Sequence, residues 1–221
     1  MKLAVFGATG GIGTAVVRQA LAAGHQVSAI VRDRTRLAVP DQEGLAVVTA
    51  GFGDADVLAG AVGGADAVVS ALGAYGRGVV TVCQDGVRAE IAAMRAADVR
   101  RLLVISASAL HTVPNDTLLM RAVLKPAVSF VFRRHYADLR VMEDEVTSSG
   151  LEWTLVCPPQ LTDGPQTGRV WRRIGDAERH GQKLARADVA GYLLEAAEDR
   201  ALIGKTVYIG QERAEKAAAR A

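Results

Sequence analysis

The sequence opens with a short apolar segment that runs directly into a glycine-rich loop. Residues 5–16 read VFGATGGIGTAV, with glycines at positions 7, 10 and 13. The strand-like run KLAVF precedes the loop, and apolar residues at helical spacing follow it. Glycines at these intervals allow a tight turn, a close approach of the backbone to a ligand and close packing of the helix on the strand. The pattern therefore predicts a βαβ unit with a phosphate-binding loop.

Each glycine has a separate role in such a loop. Gly7 allows the turn, Gly10 lets backbone amides reach a pyrophosphate, and Gly13 lets the helix pack closely on the strand. We predict that a dinucleotide binds here, and the loop residues of the predicted site are Gly7, Thr9, Gly10, Gly11, Ile12 and Gly13. The alternative is a purely structural turn, which the strand–loop–helix context disfavours.

The composition excludes several other classes of function. Half of the 221 residues are hydrophobic and the formal net charge is +2, so neither nucleic-acid binding nor attachment to an anionic membrane is indicated. We expect no signal peptide and no transmembrane segment. Cys83 and Cys157 lie in apolar contexts without metal-ligand spacing. We therefore expect buried free thiols, no metal site and a cytoplasmic protein.

Strand and helix patterns alternate along the chain. The predicted strands are residues 2–6, 27–31, 46–49, 67–72, 102–106, 153–157 and 206–209, and the predicted helices are 11–23, 54–62, 79–97, 136–149 and 188–198. This alternation predicts an α/β fold, a Rossmann-like doubly wound parallel sheet. We expect one domain over residues 1–211 and a tail over 212–221 that is frayed or disordered.

One apolar segment interrupts the alternation. Residues 111–135 carry too many apolar side chains for a solvated loop, and Pro126 is expected to divide them into two short helices. We predict an irregular substrate-side segment that could cap the carboxyl ends of the strands as a lid. It could instead bury itself against a second copy in a homodimer, or be a packed structural excursion. His111 and His135 border this segment, and either could line a pocket.

The end of the second predicted strand indicates which dinucleotide is bound. An acidic residue there would accept hydrogen bonds from a free ribose 2′-hydroxyl, whereas a basic residue would bind a 2′-phosphate. The chain has Arg32 first, then Asp33 and Arg34. We therefore predict NADP rather than NAD, with Arg32 binding the phosphate. The alternative is a surface arginine paired with Asp33, which would leave room for NAD.

Together these motifs resemble a known family. GATGGIG, the arginine after VSAIV, SALG at 70–73, ISASAL at 105–110 and SSGLEWTLVCPPQLTDGPQTG at 148–168 are similar to the atypical short-chain dehydrogenase/reductases. Within that group the chain resembles the NAD(P)H-binding proteins related to biliverdin-IXβ/flavin reductase and the NmrA-like proteins. The resemblance implies a Rossmann fold with NADP as its ligand. It also implies that Ala71, Leu72 and Gly73 line the adenosine, that Ser108 faces the nicotinamide, and that Pro158, Pro159, Gln160 and Leu161 flank its ring.

The chain departs from the family pattern at two places. Family members often carry Gly-Asp after the third strand, where this chain reads Gly51-Phe52-Gly53-Asp54. Either Phe52 stacks on the adenine or Asp54 supplies the carboxylate from a shifted loop. Gln160 stands where biliverdin-IXβ reductase-like proteins have a histidine, and an amide cannot be a general acid. This departure weakens an assignment to biliverdin reduction.

A tyrosine and an arginine complete the predicted site. Tyr136 and Arg140 are spaced i, i+4 on a predicted helix, and Arg140 would lower the pKa of the phenol, as the lysine does in many short-chain reductases. The alternative is an exposed helix pair in which Arg140 reaches Asp144. Ser108 and Gln160 would orient an acceptor oxygen.

Two functions remain open from the sequence. The first is an NADPH-dependent reductase that transfers hydride to a small electron-poor acceptor, such as a flavin, a quinone, or an enone or ketone. The second is an NmrA-like NADP-binding sensor without catalysis.

Overall fold

The computed structural model describes residues 1–73, 81–108, 125–175 and 183–212. Two sheets and five α-helices are formed within these residues. The strands are β1 Lys2–Phe6, β2 Gln26–Val31, β3 Leu45–Thr49, β4 Ala67–Ser70, β5 Arg101–Ile105, β6 Glu152–Cys157, β7 Gln160–Thr162, β8 Val170–Ile174, β9 Lys183–Ala185 and β10 Lys205–Gln211. The helices are α1 Gly11–Ala22, α2 Ala55–Val62, α3 Val82–Ala96, α4 Lys125–Thr147 and α5 Arg186–Glu198.

The large sheet is almost entirely parallel. Its strand order is β3-β2-β1-β4-β5-β6-β10-β8, and β8 pairs antiparallel with β10 at one edge. Strand order reverses direction at β1, which lies between β2 and β4. In sheets of this type ligands bind outside the carboxyl ends of the strands at the reversal point. The predicted Rossmann-like doubly wound sheet is confirmed.

Both faces of the sheet are buried, as a parallel sheet requires. In β1 the side chains alternate: Leu3 and Val5 pack with α1 and α5 on one face. Ala4 and Phe6 pack with α2, α3 and α4 on the other face. This arrangement leaves the strand ends as the open surface of the sheet.

Two features of the structure differ from the predictions: three short strands were not predicted, and the helix predicted over 136–149 begins earlier. The short strands β7, β8 and β9 had no detectable sequence pattern, since three residues are too few to show alternation and β8 carries two exposed arginines. The segment 111–135 is helical from Lys125 onward, as part of α4. Pro126 lies in the first turn of α4, where its missing N–H costs nothing. The predicted division into two helices depends on the residues before 125 and stays a prediction. The rest of that segment, and the tail beyond 212, lie outside the described residues.

The carboxyl-terminal end of α5 is fixed to the sheet by the buried Arg101 on β5. Its guanidinium donates to the carbonyl oxygens of Ala196 (2.5 Å) and Ala197 (3.3 Å), and to Thr154 Oγ1 on β6 (2.7 Å). The last carbonyls of a helix have no partner within the helix, so these bonds satisfy groups that would otherwise be unpaired. They hold the carboxyl-terminal end of α5 against β5 and β6.

One carboxyl is completely buried between α3 and the sheet. Glu90 has no exposed surface, and its Oε1 accepts a hydrogen bond of 2.9 Å from Ser70 Oγ. Its Oε2 has no hydrogen-bond partner among the described residues. Burial raises the pKa of Glu90 from its ordinary value of 4.5 to about 8. The carboxyl is therefore mainly protonated at neutral pH in the folded chain.

The buried carboxyl of Glu90 predicts that the free energy of unfolding falls as the pH rises. Between about pH 4.5 and 8 the folded chain keeps a proton that the unfolded chain has released. The free energy of unfolding should then decrease by up to about 1.4 kcal/mol per pH unit. Glu90→Gln should abolish this contribution. Urea unfolding of both proteins across the window measures it, and parallel pH dependences would contradict it.

Candidate nucleotide site and adjoining cavity

The glycine loop is held by backbone contacts on two sides. Gly7 has a φ of +70°, and a Cβ there would lie 2.5 Å from the Ala71 carbonyl oxygen. A Cβ at Gly13 would lie 2.2 Å from the Gly7 carbonyl oxygen. Neither backbone group can move away as a flexible side chain could. Glycine is therefore required at both positions for β1, α1 and the end of β4 to meet.

The N-terminus of α1 is open to an anion. The N-cap residue is Gly10, which has no side chain to bind the free amides of the first turn. Its own N–H donates to the Gly7 carbonyl (2.9 Å), and its carbonyl accepts from Thr14 N (2.8 Å). The first-turn amides and the helix dipole together favour a negatively charged group at this point.

A first cavity of about 480 Å³ lies over the carboxyl ends of β1, β2 and β4. It is bounded by the glycine loop, by the residues that follow β2, and by the segments that follow β3 and β4. The lining includes Gly7, Thr9, Gly10, Gly11, Arg32, Arg36, Phe52, Leu58, Ala71, Leu72, Gly73 and Val82. Nine of the predicted cofactor-binding residues are thus brought together in one place.

Two arginines form the basic side of this first cavity. Arg32 directly follows β2, and Arg36 ends a short 3₁₀ turn. Asp33 does not pair with Arg32: its Oδ1 accepts from Thr35 N (2.9 Å) and Thr35 Oγ1 (2.7 Å), which lowers the pKa of the Asp33 carboxyl. Arg34 pairs with Asp41 instead. Within the described residues, neither Arg32 nor Arg36 forms a salt bridge.

Phe52 is the residue after β3 that borders the first cavity. Its ring packs over α3, where a Cβ at Gly86 would lie 3.0 Å from Phe52 Cζ and 2.1 Å from Leu72 Cδ1. Asp54 is not among the described residues that line the cavity, because its Oδ2 accepts a 2.7 Å bond from Gly51 N. Of the two alternatives for this loop, the geometry favours Phe52.

A second cavity of about 300 Å³ adjoins the first on the other side of the glycine loop. The two share Gly10, Gly11, Ala71, Leu72 and Gly73. The remaining wall is largely apolar with a few polar groups. It consists of Ile12, Cys83, Ile105, Ser106, His135, Asp138, Leu139, Leu161 and Arg186.

Two of the polar groups in the second cavity are occupied by internal hydrogen bonds. Asp138 accepts from Cys83 N (3.0 Å) and Gln84 N (2.9 Å), so a carboxylate of α4 caps the first turn of α3. Ser106 Oγ donates to Glu143 Oε1, also on α4. These bonds tie α4 to the strand ends and to α3.

The predicted catalytic residues lie beside this wall rather than on it. Among the described residues of α4, His135, Asp138 and Leu139 line the second cavity, and Tyr136 and Arg140 do not. Arg140 is exposed. Burial raises the pKa of the Tyr136 phenol, which is opposite to the lowering expected from Arg140. The two residues therefore flank the wall on α4, and the proton-transfer role expected for them stays a prediction.

The other predicted residues of this region follow β5 and β6. Ser108 N donates to the Pro158 carbonyl (3.1 Å), which joins the two strand ends. Pro158 is buried, Pro159 is half-buried and Gln160 is exposed. The wall positions are taken by the neighbouring Ser106 and Leu161.

Four polar or charged residues of the two cavities were not predicted from the sequence: Arg36, Ser106, Asp138 and Arg186. Arg36 was not considered, although it follows Arg32 by four residues. Ser106 is the first polar residue after an apolar strand, which is a detectable signal. Asp138 and Arg186 come from α4 and α5, and only the packing of those helices brings them to the strand ends.

Comparisons with known proteins agree with this architecture. The sequence profile described as NAD(P)H-binding matches residues 7–200. ChuY from Escherichia coli O157:H7, described as an anaerobillin reductase, is 25% identical, with a TM-score of 0.77 over 96% of this chain and 97% of that chain. A short-chain dehydrogenase/reductase from Veillonella parvula, solved in complex with NADP, is 19% identical, with a TM-score of 0.79 over 95% and 94% of the two chains.

The chain belongs to the NAD(P)H-binding family, and the family expected from its motifs is confirmed. Its fold is shared with a protein from Lactobacillus casei that is 23% identical, with a TM-score of 0.81 over 96% of this chain and all of that chain. None of the described helices has both the length and the apolar character needed to cross a membrane. The described part of the chain also holds no cluster of three metal-ligating side chains.

The glycine contacts predict opposite effects for two alanine substitutions. Gly13→Ala should lower the free energy of unfolding by about 1–3 kcal/mol, because its Cβ would meet the Gly7 carbonyl. Gly60→Ala is the control: Gly60 lies inside α2, and no described atom is within 4 Å of a Cβ there. That variant should gain about 0.5–1 kcal/mol. Urea unfolding measures both, and an unchanged Gly13→Ala would contradict the close packing.

Proposed function

We propose that this protein is an NADPH-dependent reductase that transfers hydride to a small electron-poor acceptor. The observation that carries the proposal is the pair of cavities on either side of one glycine loop. The first has a basic side at Arg32 and Arg36 and fits the nucleotide. The second has a largely apolar wall and fits a planar acceptor. When bound, NADPH would supply the hydride.

The residues of the first cavity fit a phosphorylated dinucleotide. The open N-terminus of α1 would hold the pyrophosphate, and Phe52 would stack on the adenine. Arg32 and Arg36, both without a salt bridge among the described residues, would bind the ribose 2′-phosphate. Asp33 accepts from Thr35 through its Oδ1 and forms no salt bridge with Arg32 among the described residues, which leaves the Arg32 guanidinium available to a 2′-phosphate. These features support NADP over NAD.

The second cavity favours an acceptor that does not depend on Tyr136 for a proton. Ketone reduction requires a proton donor in contact with the acceptor oxygen, whereas a reduced flavin or quinone can take protons from water. Tyr136 and Arg140 flank the wall, and the phenol pKa is raised rather than lowered. Ser108 and Gln160, at the ends of β5 and β6, would orient an acceptor oxygen at the rim. We therefore propose a flavin or quinone as the acceptor class.

The two cysteines support a reducing compartment. Cys83 and Cys157 are both buried and form no disulfide within the described residues, and burial raises the pKa of the Cys157 thiol, which makes it unreactive. We propose a cytoplasmic location on this basis.

The general test is a panel of flavins, quinones and carbonyl compounds, with NADPH oxidation followed by absorbance. Turnover with flavins or quinones supports the proposal. If NADPH binds tightly and no acceptor consumes it, the chain is a nucleotide-binding sensor and the proposal is wrong.

Arg32→Ala should reduce the affinity for NADPH and leave that for NADH unchanged. Losing a charge-assisted hydrogen bond costs about 1.5–3 kcal/mol, or roughly ten- to a hundredfold in Kd. Arg34→Ala is the matched control, because that guanidinium pairs with Asp41 and does not line the described cavity. Fluorescence titration of both cofactors measures the effect. Equal binding of NADH and NADPH by the wild type would overturn the cofactor assignment.

Tyr136→Phe should have little effect on flavin or quinone reduction. The phenol lies off the cavity wall and its pKa is raised, so it is poorly placed to supply a proton. A positioned acid typically contributes about 10²–10⁴-fold. A loss of that size in steady-state assays with a quinone would show that Tyr136 transfers a proton, and would contradict the proposed role of water.

A further inference from the structure

Arg186, the first residue of α5, lies directly over the glycine loop. A Cβ at Gly11 would be 2.6 Å from Arg186 Cδ and 3.0 Å from Nε. Gly11 is the first residue of α1, so the arginine stem crosses the open end of that helix. The side chain is one-third exposed (32%) and lines the second cavity. A guanidinium and a helix N-terminus therefore meet at one point, where both favour an anion.

The first turn of α5 is rigidly placed relative to α1. Gln19 Nε2 of α1 donates to the Ala187 carbonyl at 2.8 Å. Asp188, which is buried, accepts from Thr167 N (2.6 Å) and Gly168 N (2.9 Å), so the loop after β7 is bound to the same turn. These contacts fix the backbone of Arg186 and leave only its side chain to move. Its position over Gly11 is thus set by the fold.

The side chain of Arg186 now contacts a weak partner. Its Nη1 lies 2.6 Å from Asp163 Oδ1, in the loop after β7. The Asp163 side chain is 93% exposed, so water screens the pair, and exposed pairs of this kind contribute little. A phosphate oxygen held against the α1 amides would be a stronger partner than this carboxylate, because it would also be bound by the helix end.

We propose that Arg186 is a second anchor for the pyrophosphate of the bound dinucleotide, and that it exchanges Asp163 for a phosphate oxygen when the nucleotide binds. This inference rests on the dinucleotide position given under the proposed function, but not on turnover. Arg32 and Arg36 would hold the 2′-phosphate at one end, and Arg186 would hold the pyrophosphate at the other. Each arginine site thus recognises a different phosphate of the same ligand.

The test compares two ligands that differ in the phosphates they carry. NADP⁺ contains both the pyrophosphate and the 2′-phosphate, whereas adenosine 2′-monophosphate lacks the pyrophosphate. Arg186→Ala should weaken NADP⁺ roughly ten- to a hundredfold and leave adenosine 2′-monophosphate within about twofold. Arg32→Ala should weaken both ligands. Isothermal titration calorimetry with the full chain gives each Kd without any acceptor present.

Three further variants separate charge, competition and folding. Arg186→Lys should recover part of the affinity, since it keeps the charge but not the fork of donors. Asp163→Asn should tighten NADP⁺ severalfold by removing the competing carboxylate. Arg200→Ala removes a comparable exposed ion pair, with Glu152, away from the site and should change neither ligand. The melting temperatures of all variants should match the wild type, because the pairs are solvent-screened.

Specific results would overturn the inference. An Arg186→Ala variant that binds NADP⁺ as well as the wild type, or that loses both ligands equally, would show that Arg186 does not contact the pyrophosphate. An Asp163→Asn variant without tighter binding would contradict the exchange. A wild type that binds neither ligand would contradict the proposed function as well. A wild type that binds NADP⁺ but reduces no acceptor contradicts the proposed function alone.

Discussion

The contact between three backbone segments at the glycine loop determines the rest of this structure. The turn after β1, the first turns of α1 and the residues after β4 approach so closely that a single Cβ at Gly7 or Gly13 would overlap a carbonyl oxygen. This contact sets α1 against the sheet, and α5 packs on α1 in turn. The glycines of this loop have no side chains, and the two cavities adjoin at Gly10 and Gly11.

Much of the fold and of the lining of the first cavity could be predicted because the signals are local. Glycine at positions 7, 10 and 13 reflects backbone geometry that depends on only a few neighbouring residues. The position of Arg32 could be predicted because it directly follows the end of a buried strand, β2. The parallel sheet was also predicted correctly, since its strands are continuous apolar runs that are buried on both faces.

The second cavity was harder to predict because it depends on how one helix is rotated. Tyr136 and Arg140 have the right spacing on α4, but the buried face of that helix is marked by Leu139, Met142 and Val146. A shift of one position turns a residue through about 100° around the axis, which moves a side chain from the wall to its edge. No sequence pattern indicates that Arg186 lies near the glycine loop, because only the packing of α5 on α1 brings it over Gly11.

The cap that Asp138 places on α3 has a consequence for the orientation of a ligand. Two helices, α1 and α3, begin beside the shared space, and each start carries partial positive charge. The carboxylate of Asp138 neutralises the start of α3, whereas the start of α1 carries no side-chain cap. Of these two helix starts, only that of α1 keeps its partial positive charge uncompensated by a carboxylate. A molecule with a negatively charged half and a neutral half therefore binds most favourably with its negatively charged half toward the start of α1.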